Sequence, residues 1–139
     1  MSLNHDSSFQ SHRYVALVAE DEAILRNTLR RVLESVGFFV LTASDGEEAL
    51  QISRKFVGTI NVLVSDIIMP KLDGVALYKQ VLRERPTMKV LLISAYVNAP
   101  VEGVPFLRKP FHLAAFRQRV REMLALPAGA HGDQRQVAL

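Results

Sequence analysis

Short apolar runs alternate along the chain with amphipathic segments. Tyr14–Ala19 (YVALVA) is apolar without interruption, which is typical of a β-strand that is buried on both faces of a sheet. In the next segment apolar side chains recur every three or four residues, which predicts a helix over Ala23–Val36. Gly37 follows directly, at the position where a glycine commonly ends a helix.

The same alternation continues through most of the sequence. The predicted strands are Tyr14–Ala19, Phe38–Thr42, Ile60–Ser65, Met88–Ser94 and Val104–Leu107. The predicted helices are Ala23–Val36, a helix from the capping-box sequence Ser44-Asp45-Gly46-Glu47 to about Phe56, Val75–Arg83 and Leu113–Leu126. Apolar strands that alternate with helices indicate a doubly wound α/β domain, a parallel sheet with helices on both faces. Such sheets carry their reactive site beyond the carboxyl ends of the strands.

Both ends of the chain lack this pattern. Residues 1–12 are polar and aperiodic, which predicts a flexible N-terminal arm, and residues 127–139 predict a flexible Gly/Ala-rich tail. The predicted domain therefore covers residues 13–126. Because the tail is too short for a DNA-binding domain, the chain is either a single-domain protein or an excised fragment, and the sequence does not choose between them.

Composition narrows the class of protein. With 139 residues, 49% apolar and 22% charged, the chain suits one globular domain. No apolar run approaches the ~20 residues that span a membrane, no signal peptide opens the chain, and the absence of cysteine agrees with a reducing cytoplasm. The net charge is +3, but the cations are spread along the chain. We interpret Arg26, Arg30 and Arg31 as a solvated helix face and expect no direct nucleic-acid binding.

Charged and polar residues collect where the predicted strands end. Glu20 and Asp21 follow the first strand, Asp66 the third, Ser94 ends the fourth and Lys109 follows the fifth. Two carboxylates ~4 Å apart repel by about 1 kcal/mol in water and about 4 kcal/mol near a protein surface. Three acids therefore need more positive charge than one lysine supplies. Oxygen ligands without histidine or cysteine point to Mg²⁺.

Two carboxylates suffice for the metal, which leaves Asp66 to act as a nucleophile toward a phosphoryl group. Lys109 would then neutralise the transferred oxygens, and the Ser94 hydroxyl would donate a hydrogen bond to one of them. A phosphatase of the haloacid-dehalogenase kind is an alternative, but it needs a second aspartate two residues further on, where this chain has Ile68. A flavin carrier would need a Ser/Thr-rich loop after the first strand, where this chain has EDEAIL.

Four motifs occur in the order VAEDE, VSDIIMPKLDG, LLISAY and FLRKPF. In these motifs the chain resembles the receiver domain of two-component response regulators, over roughly residues 13–126. The resemblance implies the flavodoxin-like fold of the chemotaxis regulators, with strand order 2-1-3-4-5. It also implies a signalling switch that catalyses only its own phosphotransfer and slow dephosphorylation. A receiver-shaped module that binds its partners without phosphorylation is the second hypothesis.

The resemblance assigns roles to individual residues. Asp66 would accept a phosphoryl group from a phosphohistidine on a histidine kinase or a histidine phosphotransfer protein. Ser94 and Lys109 would contact the phosphoryl group, Phe106 would be the switch aromatic, and the Lys109–Pro110 peptide bond would be cis. The expected ligands of Mg²⁺ are Glu20, Asp21, Asp66 and the backbone carbonyl of Ile68.

Two positions at the rim of the site carry bulky side chains without acidity. Ile68 lies two residues after the acceptor, and Tyr96 lies two residues after Ser94. In the family both positions tune the attack of water on the phosphoryl group. Bulky side chains without acidity should shield it, which predicts a long-lived phosphoryl state; the alternative is that both side chains only pack at the rim.

A departure from the family pattern is the short connection between Ser94 and Phe106. Its sequence, AYVNAPVEGVP, contains two prolines and a glycine and is too short for a helix of ~11–12 residues with two connections. We therefore expect the fourth helix of the family fold to be shortened or absent. Many receivers use that helix to form homodimers or to contact output domains, so the downstream partner stays open. The short form is familiar from hybrid histidine kinases and from stand-alone receivers.

Overall fold

The computed structural model describes residues 14–95 and 101–125. These residues form five strands and four helices, which we number separately in chain order. The strands are β1 (Tyr14–Ala19), β2 (Phe38–Ala43), β3 (Val62–Asp66), β4 (Lys89–Ser94) and β5 (Phe106–Arg108). The helices are α1 (Ala23–Val36), α2 (Gly46–Lys55), α3 (Gly74–Glu84) and α4 (Leu113–Met123).

The five strands form one parallel sheet in the order β2-β1-β3-β4-β5. The chain leaves β1 toward one edge of the sheet and returns to its other side at β3, so the strand order reverses between these two strands. The doubly wound α/β fold and its flavodoxin-like strand order are therefore confirmed. The crevice beyond the carboxyl ends of β1 and β3 is where such sheets bind ligands.

Both faces of the sheet are buried, as the apolar strands predicted. Alternate residues of β1 belong to opposite halves of the core, because successive side chains of a strand point to opposite faces. Val15 and Leu17 pack in the cluster that contains Leu77 and Val81 of α3. On the other face, side chains of β1 to β4 pack against α1 and α4; they include Ala16, Val18, Leu29, Leu33, Phe116 and Val120.

The sequence predicted the end of α1 correctly and the start of α2 less well. Gly37 ends α1 with a φ of 108°, and its amide donates to the carbonyls of Glu34 and Leu33, as the sequence predicted. The predicted cap of α2 was wrong by one residue. Asp45, rather than Ser44, is the N-cap, and its carboxylate accepts a hydrogen bond from the amide of Glu48. Glu48 in turn accepts from the amide and hydroxyl of Ser44, so the capping interaction is shifted along the chain.

Three strands begin later than predicted: β4 by one residue, and β3 and β5 by two residues, beside specific hydrogen bonds. The predicted third strand included Ile60 and Asn61, but the Asn61 side chain accepts from the amide of Val15 at 2.8 Å, and β3 starts at Val62. In the predicted fifth strand, the Val104 amide donates to the Val101 carbonyl within a turn. Strand β5 is therefore three residues long and begins at Phe106.

The connection between β4 and β5 agrees with the expected loss of a helix. Its described residues, 95 and 101–105, form no helix, and the described part of the chain contains four helices. Tyr96, the predicted arm at 1–12 and the predicted tail at 127–139 lie outside the described residues. Within residues 14–95 and 101–125, no helix is both long and apolar enough to cross a membrane.

Candidate functional site

The strand register brings the predicted residues together at one edge of the sheet. Ala19 pairs with Ser65, so Glu20 and Asp66 follow at the same level of neighbouring strands. Ser94 pairs with Arg108 at the ends of β4 and β5, and Lys109 comes next. Residues that are far apart in sequence therefore meet because parallel strands end at the same edge.

Asp66 lies at the centre of this edge and is 6% exposed. Its Oδ2 accepts a hydrogen bond from the Lys109 ammonium at 2.7 Å. Its Oδ1 accepts from the backbone amide of Ile68 at 3.3 Å. The two oxygens thus have different partners, which fixes the orientation of the carboxylate.

Glu20 is fully buried, although glutamate is usually exposed. One carboxylate oxygen accepts from Lys109 at 3.2 Å, and the other accepts from the amide of Glu22 at 3.0 Å. The two acids that follow it, Asp21 and Glu22, are exposed. The three adjacent carboxylates therefore point into different surroundings, which reduces the repulsion that their sequence suggests.

The charges of the site do not balance among the described residues. Burial raises the pKa of Glu20 to about 7 from its usual 4.5; the charge of Asp66 adds to this increase, whereas the Glu22 amide and Lys109 oppose it. Burial alone would lower the pKa of Lys109, but its hydrogen bond with Asp66 and the charges of Glu20 and Asp66 raise it overall. Lys109 therefore stays protonated, and within residues 14–95 and 101–125 it is the one ammonium that is bonded to two carboxylates.

The donor set fits a hard divalent cation. One carboxylate oxygen from each of Glu20, Asp21 and Asp66 lies within 4.8 Å of the others. All three ligand atoms are oxygens, which hard divalent cations prefer. The one positive charge of Lys109 does not neutralise three carboxylates, so negative charge is left for a cation to balance. The chemistry of these donors matches Mg²⁺ better than zinc, which favours nitrogen and sulfur ligands.

The other predicted residues lie around this centre. Ser94 is 1% exposed, and its carbonyl accepts from the Lys109 amide at 2.7 Å. The Lys109–Pro110 peptide bond is cis, as predicted. Phe106 is half-buried against the core, and its carbonyl accepts from the Arg119 guanidinium at 3.1 Å. Ile68 is 58% exposed at the mouth of the site.

Sequence reasoning missed the part that Arg26 plays. We interpreted it as one of several solvated cations, but it is half-buried, and its guanidinium donates to the backbone carbonyl of Glu20 at 2.9 Å. It therefore supports the acidic turn after β1 from the first turn of α1. The only signal in the sequence was an arginine in the helical turn that follows the acids, which is common on solvated helices as well.

An apolar surface lies beside Lys109. A cavity of about 300 Å³ opens between α1 and the loop before α4, and Lys109 is one of the residues that line it. We call the apolar side chains Ile24, Pro110 and Leu113 on this cavity the donor face. Ile24 is 79% exposed and Leu113 38% exposed. Clustered exposed apolar side chains are typical of surfaces that bind proteins.

Comparison with known proteins agrees with this geometry. The model of the response regulator receiver domain family matches residues 16–121. The sensor kinase CckA of Brucella abortus is 36% identical over 115 residues, which cover 78% of this chain and 12% of that protein. The alkaline phosphatase synthesis regulator PhoP of Bacillus subtilis is 30% identical over 78% of this chain and 47% of its own length. The chain therefore spans less than half of each of these curated relatives.

Solved structures show the same fold. The crystal structure of the receiver domain from the hybrid histidine kinase CckA has a TM-score of 0.71 and 41% identity, and the match covers 79% of this chain and 98% of that one. One chain of the CheX–CheY–BeF3–Mg complex from Borrelia burgdorferi matches with a TM-score of 0.74 and 27% identity. The match covers 87% of this chain and 94% of that chain. With its motifs, its strand order and its family match, the chain belongs to the response regulator receiver domain family.

Proposed function

We propose that Asp66 is the phosphoacceptor of a two-component or phosphorelay pathway and that its phosphorylation depends on Mg²⁺. The observation that carries the proposal is the buried Asp66 carboxylate, which lies 2.7 Å from the Lys109 ammonium and within 4.8 Å of ligand oxygens of Glu20 and Asp21. A nucleophile, a cation for the transferred oxygens and a group of metal ligands therefore share one crevice.

The chemistry follows from these contacts. An oxygen of Asp66 attacks the phosphorus of a phosphohistidine, a new O–P bond forms, and the P–N bond breaks with its electron pair going to the protonated imidazole ring. Lys109 is held where its charge can stabilise the phosphoryl oxygens, and the Ser94 hydroxyl donates a hydrogen bond to one of them. The phosphoryl group stays on the protein, so the reaction is a transfer to the chain itself rather than a turnover of substrate.

The ligands for the metal would be Glu20, Asp21, Asp66 and the backbone carbonyl of Ile68. When bound, Mg²⁺ supplies the positive charge that three carboxylates and a phosphoryl group require beyond Lys109. A neighbour at 27% identity that was solved with beryllium fluoride and magnesium supports this assignment. The position two residues after Asp66 is Ile68, which cannot act as the acid or base that aspartate-based phosphatases need.

The donor face is where we expect the phosphohistidine protein to bind. A phosphoryl group that is bound to a partner protein reaches Asp66 only if the partner's surface lies against the rim of the crevice. The donor face of this chain adjoins Lys109 at that rim. Ile24 and Leu113 are exposed apolar side chains that such a partner could cover. We propose a histidine kinase or a histidine phosphotransfer protein as this partner, acting in the cytoplasm.

The test is the intact mass of the protein after incubation with acetyl phosphate, with and without Mg²⁺. The wild type should gain one phosphoryl group only with Mg²⁺, and Asp66→Asn should gain none. Asp73→Asn is the matched control, because Asp73 is exposed, caps α3 through its side chain, and can be replaced by asparagine, which caps equally well. It should gain the group as the wild type does.

Two results would contradict the proposal. If the wild type stayed unmodified with Mg²⁺ present, the site would not be a phosphoacceptor for a small phosphodonor. If Asp66→Asn were modified as fully as the wild type, another residue would be the acceptor.

A further inference from the structure

The loop that follows Asp66 is fastened at both ends. We call residues 67–73 the acceptor loop; it joins β3 to α3. At its start the Ile67 amide donates to the Ile93 carbonyl of β4 at 3.1 Å. At its end the Gly74 amide donates to the Ile67 carbonyl at 2.8 Å. A displacement in the middle of this closed loop is therefore passed on to Ile68, whose carbonyl is an expected metal ligand.

The middle of the acceptor loop contains an unfavourable turn. The Leu72 amide donates to the Pro70 carbonyl at 2.8 Å, and Lys71 between them has a φ of 74°. This three-residue γ-turn is strained, because a side chain with a Cβ rarely adopts a positive φ. Such a conformation costs on the order of 1–3 kcal/mol and persists only where neighbouring structure maintains it.

The first residue of α2, Gly46, lies directly against this turn. A Cβ added to Gly46 would overlap the carbonyl oxygen of Leu72 and would lie 2.7 Å from the Cβ of Leu72. The φ of Gly46 is not positive, so glycine is required here for space and not for its backbone conformation. Asp45, which caps α2, also lies 3.7 Å from the Lys71 ammonium through its Oδ2.

Helix α2 is held more firmly than the middle of the acceptor loop. Ala49 and Leu50 are buried in the core, and the Arg85 guanidinium donates to carbonyls of Ser53 and Phe56 near the end of the helix. In contrast, Lys71 on the acceptor loop has a side chain that is 61% exposed. A side chain at position 46 would therefore displace the loop rather than the helix.

We propose that Gly46 is a positioning residue for the metal site. By leaving room for the backbone of Leu72, it keeps the acceptor loop in the strained turn that supports Ile68, whose carbonyl is an expected ligand of the metal. Gly46 acts through the loop and touches neither metal nor phosphoryl group. This inference rests on the proposed function, because it concerns the Mg²⁺ affinity of the same site.

The experiment compares Gly46→Ala with Gly37→Ala by calorimetric titration with Mg²⁺ and by thermal unfolding. Gly37 is the matched control: it ends α1 at the opposite end of the sheet, with a φ of 108° and nothing within 4 Å of an added Cβ. Both variants should lose stability. Only Gly46→Ala should bind Mg²⁺ more weakly, on the order of tenfold, which is the usual effect of disturbing the support of a metal ligand.

A titration of the wild type by NMR covers the case in which Gly46→Ala does not fold. Mg²⁺ should shift the amide signals of Gly46 and Leu72 together with those of Asp66 and Ile68, and it should leave Gly37 unchanged. Unshifted Gly46 and Leu72 signals would overturn the inference. So would a Gly46→Ala variant that binds Mg²⁺ as tightly as Gly37→Ala does.

The wild type in the same series separates the two proposals. If it binds Mg²⁺ and accepts a phosphoryl group from acetyl phosphate while both glycine variants bind Mg²⁺ equally, the positioning role is wrong and the proposed function stands. If the wild type neither binds Mg²⁺ nor accepts the group, the proposed function is wrong. There would then be no metal site for Gly46 to position, and the positioning role would be wrong as well.

Discussion

At Glu20, burial and charge act against each other. Its carboxylate is fully buried beside Asp66, and Lys109 is shared between the two acids. Removing one charge from water costs several kcal/mol unless partners compensate for it. Adjacent acids after an apolar strand predicted a cation site, but the sequence could not show that the first acid is buried while Asp21 is exposed. That difference depends on where the turn after β1 packs.

Replacing Glu20 with glutamine should stabilise the metal-free protein at pH 8. The folded protein keeps a proton on Glu20 up to about pH 7, whereas the unfolded chain loses it near pH 4.5, so wild-type stability falls as the pH rises through this window. The gain at pH 8 should be about 3–4 kcal/mol, because the pKa rises from 4.5 to about 7 on folding and each unit corresponds to about 1.4 kcal/mol. Urea unfolding in EDTA at pH 5 and pH 8 measures it. A gain of the same size at both pH values would contradict the explanation.

Ile68 combines two features at the mouth of the site. Its amide donates to Asp66, and its side chain is 58% exposed. The shielding of the phosphoryl group by this side chain stays a prediction. The corresponding prediction for Tyr96 concerns a residue outside the described part of the chain.

Ile68→Asn should shorten the lifetime of phosphorylated Asp66 several-fold, because an amide side chain can hold a water molecule near the phosphorus whereas isoleucine excludes it. The decay of the phosphorylated mass with time, after the phosphodonor has been removed, gives the rate. Ile24→Asn is the control, since Ile24 is an equally apolar residue that is 79% exposed on α1. Identical decay in the wild type and in Ile68→Asn would show that Ile68 only packs at the rim.

At the scale of elements, the sequence predicted which segments are helices better than it predicted how they are fastened. Periodic apolar residues gave the bounds of α1 correctly because that signal is local. The fastening of α2 to α3 was not foreseen. Arg85 ends α3, and its guanidinium donates to the Ser53 hydroxyl and to carbonyls of Ser53, Phe56 and Gly58. No sequence pattern links an arginine to carbonyls about 30 positions earlier.

Arg85→Lys should destabilise the protein by about 2–3 kcal/mol, because lysine cannot reproduce a planar fork that satisfies several carbonyls, and hydrogen bonds to charged groups contribute about 1.5–3 kcal/mol. The midpoint of urea unfolding measures the change. Arg54→Lys is the matched control: it alters an exposed ion pair with Glu84, and such pairs contribute little. Equal losses of unfolding free energy in the two variants would mean that the hydrogen bonds of the Arg85 guanidinium contribute no more than an exposed ion pair does.

At the scale of the whole molecule, the parallel sheet brings the site together. Glu20 and Lys109 are 89 positions apart and Asp66 and Lys109 are 43 apart, yet each pair forms an ion pair. This meeting could be predicted because parallel strands separated by helices must end at one edge. The short connection between β4 and β5 was also predictable, since its length and prolines leave no room for a full helix.

The sequence by itself determined the order of strands and helices, the parallel sheet and the set of residues at its carboxyl edge. These follow from periodicity, which acts over a few residues, and from motifs that lie at strand ends. Only the tertiary structure decided that Glu20 is buried, that Arg26 supports the acidic turn and that Gly46 lies against Leu72. Such contacts depend on how separate elements pack in three dimensions, and local patterns along the chain do not contain that distance information.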